Sequence, residues 1–115
     1  MVIARRPLSP QVFQILLSVA ERPRHGYAII LDIQQRTAGQ TRLTASTLYA
    51  ALKRLLDAGL VAEVESRPND ADPRRRYYRI TGAGVAAGRA EAARLDALTA
   101  EARAKHWLPV RRTTS

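Results

Sequence analysis

From Leu43 to Val61 the apolar positions keep first the period of a helix and then that of a strand. Leu48, Leu52, Leu55 and Leu56 recur at i, i+4, i+7 and i+8 and so share one helical face. Thr44 ahead of them is a good N-cap, Leu43 can staple onto Leu48, and Gly59 supplies the left-handed residue that ends the helix. The opposite face carries Ser46, Ala50, Lys53 and Asp57, with Tyr49 and Arg54 on its flanks. Small, hydroxyl and basic groups around one aromatic ring suit a helix lying in a DNA groove.

Upstream, Ser9 followed by Pro10 predicts a helix whose buried side is Val12, Phe13, Leu16, Leu17 and Ala20, stopped by Arg22-Pro23-Arg24. A second helix is expected from His25-Gly26-Tyr27 to about Ala38. Gly26, Ile30, Ile33 and Thr37 share one of its faces, with Ile29 beside them, and Gly39 is its natural C-cap. Downstream, residues 60–66 alternate as a strand, and residues 67–73 are rich in turn formers and predict a hairpin tip. Residues 74–80 return, with Arg76, Tyr78 and Ile80 on one face and Arg75, Tyr77 and Arg79 on the other. Thr81 then caps a long fourth helix, reaching about Trp107 before Pro109 ends it. At 1.5 Å per residue that helix would be on the order of 38 Å long, more than the body it would cover. Val85, Ala92, Leu95, Leu98 and Ala102 form a moderate apolar stripe along it. Residues 1–7 are expected to be a loose basic arm. The order of these elements predicts a mainly α fold with a small β-hairpin: a winged helix-turn-helix plus a long C-terminal helix.

The 115 residues make one domain, and their net charge of +9 favours an anionic partner. Residues 1–36 hold five Arg or Lys against two Asp or Glu, residues 37–81 eight against five, and residues 82–115 six against three. Each third therefore carries +3, so local clusters matter more than the total. Nearly all the positive charge is Arg, whose planar fork suits phosphate and guanine. With no cysteine there is no disulfide, thiolate metal site or Cys nucleophile. No apolar run approaches the roughly 20 residues that span a bilayer, and a soluble, cytoplasmic protein is expected. His25 and His106 are far apart and neither has a carboxylate cluster beside it, so no catalysis, metal or cofactor is expected. His25 reads as a helix-start residue that hydrogen-bonds locally.

Four motifs, in order, carry a resemblance. Arg24-His25-Gly26-Tyr27, then Thr47-Leu48-Tyr49-Ala50-Ala51-Leu52-Lys53-Arg54-Leu55, then Gly59-Leu60-Val61, and finally Arg75-Arg76-Tyr77-Tyr78-Arg79-Ile80-Thr81 followed by Gly84 together resemble the PadR-family transcriptional regulators. The single long helix after the wing is similar to the small subclass, in which that helix makes the homodimer. The resemblance implies a bacterial repressor that binds an inverted repeat as a dimer and is often released by a small effector. It divides the chain into a DNA-binding domain at 1–81, a dimerisation helix at 82–108 and a disordered tail at 109–115. One departure is that the family usually has Pro-Gly where this chain has Ala45-Ser46. Ser46 therefore adds a hydroxyl at the start of the third helix and is expected to alter base preference.

The partners expected are double-stranded DNA and a second copy of the chain, with a small hydrophobic or aromatic effector as a further option. Ser46 and Thr47 are expected to make hydroxyl contacts at the groove-facing end, and Tyr49 phosphate or base contacts. Lys53 and Arg54 are expected on phosphates, as is Tyr27. Of the wing arginines, Arg74 and Arg75 are favoured for DNA over Arg76; the bland alternative is a solvated wing neutralised by Asp70 and Asp72. Leu95, Leu98 and Ala102 are the dimerisation candidates. Trp107 is either an anchor against the partner subunit or helix one, or a ring lining an effector pocket. The rival from another class is a winged-helix protein-interaction module without specific DNA binding, and a third option is a non-specific architectural DNA binder.

Overall fold

The computed structural model describes residues 7–65 and 75–109. The basic arm before Pro7, the hairpin tip with Arg74, and the tail beyond Pro109 lie outside these residues. The elements run α1 (Pro10–Ser18), β1 (Arg24–His25), α2 (Gly26–Arg36), α3 (Ala45–Asp57), β2 (Val61–Val64), β3 (Tyr77–Ile80) and α4 (Gly82–Ala104). The winged helix-turn-helix with its trailing helix is thus present in the predicted order.

The caps are those the residues dictate. Ser9, Thr44 and Thr81 each accept a backbone N–H three residues on, from Val12, Thr47 and Gly84. After α3 the backbone N–H of Leu60 reaches back to the Leu55 carbonyl and that of Gly59 to Leu56, with Gly59 at φ 74°. Two helix ends come earlier than predicted. After α2 both Ala38, at φ 52°, and the predicted Gly39, at φ 81°, are left-handed, and the Gly39 N–H reaches back to the Gln34 carbonyl at 2.8 Å. After α4 the left-handed residue is His106 at φ 63°, so Trp107 lies beyond the helix, its N–H on the Ala102 carbonyl.

The core is Ile15, Leu16 and Val19 of α1, Ile29 and Ile33 of α2, Leu48, Ala51, Leu52 and Leu55 of α3, closed by Leu43, Val61 and Tyr78. The leucine face of α3 is buried as its spacing predicted, with Leu56 half-buried at the margin. Helix α1 is turned relative to expectation. Ser18 and Val19 go in, Val12 and Phe13 are half-buried, and Leu17 and Ala20 are exposed. The reason is that α1 packs against α2, α3 and α4 rather than lying on one surface. A polar frame completes the α1–α2 contact. Arg36 donates to Asp32 Oδ2 at 2.8 Å, Gln14 Oε1 at 2.7 Å, the Gln14 carbonyl at 3.0 Å and Ser18 Oγ at 2.8 Å.

The sheet has three strands in the order β1-β3-β2, all antiparallel. Arg24 and His25, predicted to stop one helix and to start the next, pair with Tyr78 and Tyr77 as its edge strand. Both hairpin strands are shorter than predicted, and Arg75 and Arg76 precede β3 instead of alternating within it.

Helix α4 buries Gly84, Ala87 and Glu91, not the predicted apolar stripe. Gly84 sits so close to the start of the wing that a Cβ there would penetrate the Leu60 carbonyl and lie 2.7 Å from Ile80 Cγ1. Glu91 Oε1 accepts the Leu8 N–H and Arg94 Nε, both at 3.1 Å, which ties the chain ahead of α1 to α4. From Leu95 onward α4 leaves the body: Leu95, Leu98 and Trp107 are exposed and Ala102 is half-buried. Trp107 is 77% exposed, so it does not anchor on α1 within the subunit.

Two outcomes follow from this packing. Gly84→Ala is expected to destabilise the fold by about 1–3 kcal/mol in a denaturant melt. Gly88→Ala, with open space at its Cβ, should be neutral or stabilising by up to about 1 kcal/mol. The second outcome concerns acid. Hydrogen bonds from Arg94 hold the Glu91 carboxyl below its ordinary value. Burial pushes Asp32 up, but hydrogen bonds from Arg36 and Ser18 and the charges of Arg36 and Arg24 outweigh it and hold it down. Both carboxylates therefore add stability above their unfolded values, 4.5 and 3.8, and lose it as pH falls through the lower folded ones. Melting temperature should be flat near neutrality and drop below about pH 4.5, with Asp32→Asn lowering the plateau and flattening the drop.

Candidate nucleic-acid interface

Helix α3 offers solvent the face predicted for it. Ser46, Tyr49, Ala50, Lys53, Arg54 and Asp57 are exposed, and Thr47 is half-buried at one edge. Tyr49, at the other edge, leans over the start of α2. A Cβ on Gly26 would lie 2.9 Å from Tyr49 Cζ and 3.3 Å from Leu48 Cδ2, so the absence of a side chain at 26 is what lets the ring lie there.

The result is a notch of about 450 Å³ between α2, α3 and the wing, lined by His25, Gly26, Tyr27, Tyr49, Arg75, Arg76 and Tyr78. Three predicted site residues, Tyr27, Tyr49 and Arg75, therefore meet on one concave surface. Tyr27 and Tyr49 are 63% and 50% exposed, and the hydroxyl end of Tyr49 lies against Gly26. Tyr78 is the buried ring of its pair and Tyr77 the partly exposed one. Burial pushes the Tyr78 phenol up, keeping it neutral.

His25 caps α2: its Nδ1 accepts the Ala28 N–H at 3.2 Å, and its ring meets Tyr77 edge-on with centroids 5.4 Å apart. The neutral ring then carries its proton on Nε2. Arg75 Nη1, 3.4 Å from that nitrogen, is in packing contact with it rather than hydrogen-bonded. The strand that holds His25 is fixed from behind, since Arg24 Nε donates to the Ser18 carbonyl at 2.7 Å and its Nη2 lies 3.6 Å from Asp32.

Arg76, passed over on alternation, lines the notch beside Arg75, because strand geometry begins only at Tyr77. Glu63 partly neutralises it at 3.5 Å. His25 and Gly26 are further notch residues without a predicted ligand role; the close approach of Tyr49 to a residue 23 positions away leaves no local mark in the sequence. Arg54, Thr47 and Lys53 do not line the notch. Leu95, Leu98 and Ala102 belong to the far half of α4 and Trp107 lies just beyond its end, while Arg74 is outside the described residues. Among the described residues no cluster of His, Cys, Asp or Glu could hold a metal, and no helix is long and apolar enough to cross a membrane.

Residues 15–91 match the model of the transcriptional regulator PadR-like family. An uncharacterized protein of Lysinibacillus sphaericus is 35% identical over 72 residues, covering 63% of this chain and 65% of its own length, so the match spans just under two thirds of that relative. Among solved structures, a transcriptional regulator from Clostridium thermocellum has a TM-score of 0.69 at 28% identity, over 82% of this chain and 89% of its own. A PadR-family transcriptional regulator from Eggerthella lenta has a TM-score of 0.68 at 27% identity, over 88% and 83%. A PadR-like regulator from Bacillus cereus has a TM-score of 0.73 at 15% identity, over 86% and 93%, a likeness of fold.

The close packing of Tyr49 on Gly26 can be measured directly. Gly26→Ala is expected to destabilise the protein by about 1–3 kcal/mol. In a Tyr49→Ala background most of that loss should vanish, giving a coupling energy above about 0.5 kcal/mol in a double-mutant cycle.

Proposed function

The chain belongs to the PadR-like family of transcriptional regulators, and on that premise we propose that it is a homodimeric repressor reading an inverted repeat through α3 and the wing. The observation that carries this is the shared surface: the polar face of α3 ends at Tyr49, which meets Tyr27 of α2 and Arg75 of the wing in one notch. Hydroxyl, aromatic and guanidinium groups from three elements are thereby turned outward together, which is what a curved polyanion with a readable groove requires. Ser46 and Thr47 are assigned to base edges and Tyr49 to a phosphate or base. Tyr27, Lys53, Arg54, Arg74 and Arg75 are assigned to phosphates. Such a regulator works in the cytoplasm, where bacterial DNA is.

The dimer is assigned to the far half of α4. A lone protomer leaves Leu95, Leu98 and Trp107 in water, whereas two such helices side by side cover them. Ala102 lets them approach closely. Trp107 is then positioned against the partner or against a flat hydrophobic effector bound between subunits. Dimerisation and DNA binding alone also suffice for a regulator of this size.

The test is a titration of the protein against the duplex upstream of its own gene and against scrambled duplex, at two salt concentrations. Discrimination of roughly a thousandfold is expected. Lys53→Ala and Arg54→Ala should weaken both duplexes alike and each reduce the salt slope by about 1. Unchanged slopes would remove α3 from the interface, and no duplex affinity at low salt would make the domain a protein-interaction module. Sedimentation should give a dimer that Leu98→Asp converts to monomer.

A further inference from the structure

Three hydroxyls at the start of α3 lie on one hydrogen-bonded chain. Thr44 Oγ1 accepts the Thr47 backbone N–H at 3.2 Å and donates its own proton to Thr47 Oγ1 at 2.9 Å. A hydroxyl has one proton and two acceptor lone pairs. With its proton committed to Thr47, Thr44 can meet Ser46 Oγ, 3.3 Å away, only as an acceptor. The chain therefore runs from Ser46 to Thr44 to Thr47, each link polarising the next. Thr44 is saturated. Ser46 has turned its proton inward and shows lone pairs to solvent. Thr47 receives a proton from behind and keeps its own for what lies in front.

This polarity matters because base edges differ in the order of their donors and acceptors. In the major groove adenine shows an acceptor, N7, beside a donor, the N6 amino group, whereas guanine shows two acceptors, N7 and O6. Resting on the reading that α3 enters that groove, we infer that Thr44 is a specificity-determining positioning residue. By fixing Thr47 as donor and Ser46 as acceptor, it matches the pair to adenine and sets the Ser46 lone pairs against guanine O6. Thr44 itself needs no contact with DNA. An unbonded pair of hydroxyls would rotate to suit either purine, and the chain through Thr44 removes that freedom.

The experiment uses the full-length protein, a randomised duplex pool for selection, and titration of the selected duplex. In a second duplex, 7-deazaadenine, which lacks N7, replaces the selected adenine. Wild type and Thr44→Ser are expected to select adenine at one half-site position and to lose about tenfold in affinity on the deaza substitution. Thr44→Gly keeps a tolerated N-cap but has no hydroxyl. It should bind the adenine and guanine duplexes within about twofold of each other, still losing affinity on the deaza substitution because a freely rotating Thr47 hydroxyl can donate to N7, with its salt slope unchanged because phosphate contacts are intact. Ser46→Ala leaves the cap in place and should keep the sensitivity to N7 while losing discrimination against guanine.

Adenine preference retained in Thr44→Gly, or guanine selected at that position by wild type, overturns the inference while leaving the DNA-binding function standing. Wild type binding every duplex equally overturns α3 as a sequence reader, and this inference with it.

Discussion

Two neighbouring carbonyl groups join the end of α3, the wing and the start of α4. The oxygen of Leu60 receives the Thr81 N–H at 3.1 Å, while the neighbouring Gly59 carbonyl receives the Thr81 hydroxyl at 2.6 Å. Gly84 is pressed onto the same peptide unit. The end of α3, the first strand of the wing and the first turn of α4 therefore share one small volume, and each orphan polar group there finds its partner in another element. This contact requires a left-handed residue at 59 and no side chain at 84. Given both, the angle between α3 and the wing is set by backbone rather than by deformable side chains.

A second constraint acts at the other edge. Arg36 and Asp32 of α2, Gln14 and Ser18 of α1, and Arg24 of β1 form one bonded frame behind the edge strand. Part of it is exposed, so its ion pairs contribute modestly to stability. Its larger effect is geometric: it holds β1 against β3, and so holds His25 and the start of α2 beside the arginines of the wing. The notch is thus built between two rigid margins.

Most of the architecture was legible because it follows from local chemistry. The caps at Ser9, Thr44 and Thr81, the stop at Gly59 and the leucine face of α3 each need only a few neighbouring residues. The features that escaped are those that depend on distant partners. Arg24-His25 becomes a strand only because β3 lies alongside. Leu17 and Ala20 belong to an apolar run yet stay exposed because α1 is turned by three neighbours at once. Arg75 and Arg76 escape alternation because β3 has not yet begun, and Arg76 joins the notch for that reason. Glu91, a charged residue in a helix, gave no sign that it would be buried, since its partner Leu8 lies 83 positions away.

Helix α4 follows β3 with only Thr81 between them, and its first turn is fixed on Leu60. The 23 residues of α4 then project about 35 Å from that joint, so a displacement on the order of 3 Å forced at the far end tilts the helix by about 5°. A force on the exposed end of this helix therefore reaches the wing and the end of α3 through a joint of one residue.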